Sequence, residues 1–202
     1  MREFWDTITA TQTVPEAPWL IGAGVLALAL VVWRTSWRTV RLGVTVVHEA
    51  GHAVVAVLVG RRLSGIKLHS DTSGVTLSRG KPSGPGMVAM LAAGYLAPAL
   101  LGLLSATMLA AGHALGLLWL LVAAMLVLLV WVRNGYGLVV LLVLGAALGA
   151  ISWYADDRIQ TIAATLVTWL LLLASPRPLA NQVSSVYVSY TGTPSSLRTL
   201  PA

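Results

Sequence analysis

The run Leu115-Gly116-Leu117-Leu118-Trp119-Leu120-Leu121-Val122-Ala123-Ala124-Met125-Leu126-Val127-Leu128-Leu129-Val130-Trp131-Val132 is eighteen residues without a charged side chain. A helix needs about 17–25 mostly apolar residues to cross a hydrocarbon core about 30 Å thick. This stretch therefore reads as a membrane span. Further apolar segments fall at 19–33, 40–60, 87–111, 136–155 and 159–174. The expected fold is an all-α membrane protein, a polytopic bundle of about six transmembrane helices.

Composition points the same way. Of the 202 residues, 57% are hydrophobic and 10% charged, where a soluble domain carries about 25% charged residues. Mean hydropathy is +0.82, so a water-soluble globular enzyme is excluded. The chain has no cysteine, which removes disulfides, thiol catalysis and cysteine-ligated metal centres. Any metal must be held by His, carboxylate or amide oxygen. The net charge of +6 does not point to nucleic acid, because the cations sit between apolar runs, where they determine topology, and form no basic–aromatic stripe.

Three regions follow. Residues 1–18 form a polar N-terminal segment that lacks the basic n-region of a signal peptide. Residues 19–175 form one polytopic membrane domain. Residues 176–202 form a polar tail, expected to be poorly ordered. Inside the membrane domain, Ile66-Lys67-Leu68-His69 and Val75-Thr76-Leu77-Ser78 alternate apolar and polar residues around Ser70-Asp71-Thr72-Ser73-Gly74, which predicts a short β-hairpin over about 64–79. Arg34, Arg38 and Arg41 read as a basic turn between the first two spans. With six alternating spans, nine Lys and Arg fall on the side of the N-terminus and four on the other. The expected location is thus the cell membrane, multi-pass, with the N-terminus in the cytoplasm.

The second apolar segment carries His48-Glu49-Ala50-Gly51-His52. Residues four apart share one helical face, so both imidazoles reach one ion while Glu49 sits beside them. Zinc suits this set: it accepts imidazole nitrogen and lowers the pKa of a bound water towards neutrality. Glu49 then serves as general base and later passes the proton to the leaving amine. A plain packing role is disfavoured, because ionisable groups inside a membrane are costly and normally functional.

Val46-Val47-His48-Glu49-Ala50-Gly51-His52-Ala53-Val54, followed by Gly60-Arg61-Arg62-Leu63-Ser64-Gly65-Ile66, resembles the M50 metallopeptidases, in particular their small M50B-like branch in the site-2 protease clan. The resemblance continues through Ser73-Gly74-Val75-Thr76, through the segment from Ala93-Gly94-Tyr95 to Gly102, and through Val132-Arg133-Asn134-Gly135. It covers roughly residues 40–180. It implies an integral-membrane zinc metalloprotease that cuts peptide bonds in or near the bilayer, with His48 and His52 as metal ligands, Glu49 as the catalytic residue and Zn2+ as cofactor. Site-2 proteases take a third ligand from an Asp-Gly pair on a later helix, and this chain has no Asp-Gly. Asn134, in Asn134-Gly135, and Asp157 are the candidates for a third ligand or a substrate contact. The absent Asp-Gly supports the alternative, a non-catalytic membrane protein of the same fold acting as a binding or scaffold partner.

The expected partners are a membrane protein or peptide substrate and the lipid bilayer. The hairpin offers a strand edge to an unwound substrate. His69 reads as a solvated loop histidine and His113 as an interfacial one. Gly94, Pro98 and Gly102 recur every four residues, a small-residue face that permits close helix packing.

Overall fold

The computed structural model describes residues 2–175, with side chains from residue 5 onward; the tail at 176–202 lies outside the described residues. Seven helices and one hairpin follow in chain order: α1 (Arg2–Thr9), α2 (Ala17–Val32), α3 (Arg34–Leu58), β1 (Arg62–Leu68), β2 (Gly74–Arg79), α4 (Pro85–Ala110), α5 (Ala114–Trp131), α6 (Gly135–Tyr154) and α7 (Asp157–Ala174). Helices α3 to α7 are each long and apolar enough to cross a membrane. α2, the remaining expected span, is apolar but has 16 residues. At about 1.5 Å per residue it covers roughly 24 Å, short of a full hydrocarbon core.

Local chemistry sets the boundaries. Asp156 caps α7 by accepting from the Ile159 amide at 2.8 Å, which satisfies one of the orphan donors of the first turn. Pro85 opens α4, where its missing N–H costs nothing. Arg34, Arg38 and Arg41 are not in a turn. They form the exposed start of α3, and their spacing of four and three places them on one helical face. That face continues through Thr45, His48 and His52.

The hairpin is antiparallel, with Ile66 opposite Thr76 and Leu68 opposite Gly74, and a bulge between Leu63 and Gly65. Ile66 and Leu68 are buried in a cluster with Val46 and Ala53 of α3, Met125 of α5, and Val140 and Leu141 of α6. The outer edge of β1 is covered by the α5–α6 turn. Ile66 bridges Val132 in parallel, and the Arg133 amide donates to the Ile66 carbonyl at 2.9 Å. β2 pairs with β1 alone among the described residues.

Two contacts define how the bundle is oriented end to end. The Arg158 guanidinium lies 4.1 Å over the Trp19 ring, so α2 and α7 start together. Val31 and Ala174 share a core cluster with Val44, so the two helices also end together and run parallel. Gln12 ties the N-terminal segment to the end where they start. Its amide donates to the Gly112 carbonyl at 2.9 Å, and its side chain donates to Asp157 at 3.2 Å and Gln160 at 2.5 Å. The hairpin and the α5–α6 turn occupy the opposite end.

Arg34, Arg38 and Arg41 begin α3 where α2 finishes, and Arg61 and Arg62 follow its other end, 25 residues of helix away.

Candidate metal centre

The packing of α3 against α4 brings the two imidazoles together. Gly51, between the histidines, lies against α4 so closely that a Cβ there would overlap Ala97 and stand 2.7 Å from the Ala93 carbonyl oxygen. At the next residue, His52 Nδ1–H donates to the Met90 carbonyl at 2.7 Å. That bond assigns the tautomer and leaves the lone pair on Nε2. His52 Nε2 lies 3.0 Å from His48 Nε2, with the two rings nearly perpendicular. Gly94 faces the His52 ring, and a Cβ there would overlap it. The small-residue face of α4 thus serves two neighbours: Gly94 makes room for His52, and Gly102 makes room for Leu171 and Leu172 of α7.

Glu49 is 4% exposed, and the hairpin holds it. The Thr76 hydroxyl donates to Glu49 Oε2 at 2.6 Å and lies 3.1 Å from the Glu49 carbonyl oxygen. Gly74 packs on the carboxylate: a Cβ there would stand 2.6 Å from Glu49 Cγ and 2.8 Å from Oε1. At the hairpin tip, the Thr45 hydroxyl donates to the Thr72 carbonyl at 2.9 Å. Thr72 has a φ of 70°, a left-handed conformation that a β-branched residue rarely adopts. Ser73 donates to the Asp71 carboxylate from its hydroxyl and its amide, which holds that exposed carboxyl below its ordinary range.

A cavity of about 300 Å³ opens beside this group, lined by Arg41, Thr45, His48, Glu49, Thr72, Ser73, Gly74, Tyr95, Pro98 and Ser175, among others. The Tyr95 ring stands edge-on to His48 with centroids 5.0 Å apart. The pair of histidines fits a metal ion. Two donors about 2.0–2.1 Å from a tetrahedral zinc lie roughly 3.3 Å apart, within a few tenths of the separation seen here.

The other candidates fall elsewhere. Asn134 does not line the cavity. Its Oδ1 accepts from the Leu68 amide at 3.2 Å and its Nδ2 donates to the Leu68 carbonyl at 2.6 Å. Both ends of its amide latch β1 to the start of α6. Asp157 begins α7, whereas Ser175, just past its end, lines the cavity. Eighteen residues of helix put roughly 26 Å between them. Among the described residues no group of three His, Asp or Glu forms a ligand set. His69 is exposed at the hairpin tip, with Nδ1 3.4 Å from the Ser73 hydroxyl. His113 is half-buried before α5.

Thr76, Gly74, Tyr95 and the Met90 carbonyl are not among the site residues expected from the sequence. The alternation of β2 does place Thr76 and Gly74 on one face. What that face meets is decided by tertiary packing.

A family model described as Peptidase M50B-like matches residues 21–196. No curated protein and no solved structure matches the chain.

Proposed function

The chain belongs to the Peptidase M50B-like family and is a multi-pass membrane protein of the site-2 protease type; on that premise we propose that it is a zinc metalloprotease hydrolysing peptide bonds in or beside the bilayer. One observation carries the proposal: two imidazole Nε2 atoms 3.0 Å apart beside a buried carboxylate, on the wall of a cavity. Outside a functional site, three such groups within a membrane helix would be a large and unrewarded cost.

His48 and His52 would hold the ion through Nε2, with the Met90 carbonyl fixing the His52 ring. When bound, zinc supplies Lewis acidity, which acidifies water and polarises a carbonyl oxygen. Glu49 handles the proton. Its Oε2 is engaged by Thr76, while Oε1 has no hydrogen bond among the described residues, so Oε1 takes the proton from the attacking water and returns it to the leaving amine. The Tyr95 and Gly74 walls of the cavity confine the substrate segment. An extended substrate would pair with β2. The β1 edge is covered by the α5–α6 turn, and β2 carries both Gly74, at the cavity, and Thr76, on Glu49. Strand addition satisfies substrate main-chain groups in apolar surroundings.

The test is cleavage of a reconstituted membrane-spanning peptide by the purified full chain. Hydrolysis that a chelator abolishes and added zinc restores is the expected result. The second reading, a non-catalytic membrane protein that binds partners, is favoured by the ligand count: the described residues bring no third His, Asp or Glu to the metal pair apart from Glu49. Stoichiometric zinc without cleavage of any membrane peptide would establish it.

A further inference from the structure

We infer that Arg41 is a specificity residue, selecting peptide segments that carry a carboxylate side chain about three residues from the bond to be cut. The inference deepens the peptidase reading above and rests on it.

Arg34, Arg38 and Arg41 share one face of α3, yet of the three it is Arg41 that lines the cavity. The other ionisable groups on that wall are His48, Glu49 and Tyr95, so Arg41 is its one permanent cation. A guanidinium stays protonated at any accessible pH. On a helix that crosses a membrane such a charge is costly unless it faces a polar cavity or a counter-charge.

The described residues leave that counter-charge open. Arg41 takes no hydrogen-bond partner among them. Glu49, the one carboxylate on the cavity wall, lies eight positions further along α3, about 12 Å of helix, and is engaged by Thr76. Asp71 at the hairpin tip spends its hydrogen bonds on the Ser73 hydroxyl and amide. These bonds, ahead of the more distant charges of His69 and Arg41, hold its carboxyl low.

Spacing says where an incoming carboxylate would sit. Arg41 precedes His48 by seven residues, or about 10 Å of helix. An extended chain advances about 3.3 Å per residue. A segment with its scissile carbonyl at the histidine pair therefore brings its third residue to Arg41. An Asp or Glu there meets the planar guanidinium, which suits two parallel hydrogen bonds to a carboxylate.

The probes are fluorescent membrane-spanning peptides, identical except for one residue, Glu, Gln or Lys, moved stepwise along the segment. Their binding to the full chain carrying Glu49→Gln, held in nanodiscs, is read by fluorescence anisotropy. At one position the Glu peptide is expected to bind about fivefold more tightly than the Gln peptide, the upper range of an exposed ion pair. Adding Arg41→Gln should erase that ratio, Arg41→Lys keep most of it, and Arg41→Glu turn the preference to the Lys peptide. Arg38→Gln, on the same face but outside the cavity, should leave it unchanged. Equal binding of Glu and Gln peptides at every position, or an unchanged ratio in Arg41→Gln, would overturn the inference. With Glu49 intact, mass spectrometry of the products should place the cut about three residues from the selected Glu. A cut elsewhere overturns the spacing, whereas binding with the same charge preference but no cut counts against the peptidase reading alone.

Discussion

Thr76 donates its hydroxyl to Glu49 across 2.6 Å, joining residues that lie 27 positions apart on a strand and a helix. The hairpin is therefore part of the candidate metal centre, since it sets which carboxylate oxygen remains free. Removing a hydrogen bond to a charged group costs about 1.5–3 kcal/mol. Thr76→Val is expected to lower kcat by about tenfold to a hundredfold on that scale, with zinc content unchanged, and Thr76→Ser to recover most of the loss. Steady-state cleavage assays on the two variants check this.

Gly74→Ala should act on the same carboxylate from the other side. Its Cβ would stand 2.6–2.9 Å from Glu49 Cγ, Oε1 and Cδ, so the glutamate must move. Activity is expected to fall at least tenfold while bound zinc persists. Metal analysis alongside cleavage separates this outcome from loss of the site.

Gly94→Ala strikes the metal pair instead. A Cβ at this position overlaps the His52 ring, and overpacking of this kind costs about 1–3 kcal/mol. Zinc affinity should drop by about tenfold or more, together with activity, as measured by competition with a chromophoric chelator.

Asn134→Ala tests whether that residue is a clasp or a ligand. It removes both side-chain bonds to Leu68 and leaves two backbone groups without partners, at about 1–3 kcal/mol each where buried. Thermal stability in detergent should fall while zinc affinity stays within about twofold. A large loss of zinc with unchanged stability would return Asn134 to the ligand shell.

The juxtaposition of His48 and His52 was legible because a spacing of four is a local property of any helix, and the hairpin because alternation is local too. The packing of helix on helix was not. Arg34, Arg38 and Arg41 interrupt an apolar run and so read as a turn, although their spacing of four and three continues into Thr45, His48 and His52 along one face of α3. The parallel pairing of α2 with α7 is likewise set by contacts between helices, Trp19 with Arg158 and Val31 with Ala174. No pattern within either helix encodes it. Asn134 looked like a ligand because it precedes a glycine in the expected region. Its partner, Leu68, lies 66 residues away, beyond the reach of any local signal.

The central claim is that Glu49 moves the proton while His48 and His52 hold the metal. It is tested most directly by measuring zinc content and cleavage of a membrane-spanning peptide in one preparation of Glu49→Gln, with His48→Ala beside it. Glu49→Gln is expected to keep its zinc and lose hydrolysis by at least a hundredfold, and His48→Ala to lose the zinc itself. Full hydrolysis by Glu49→Gln, or undiminished zinc in His48→Ala, would contradict the account.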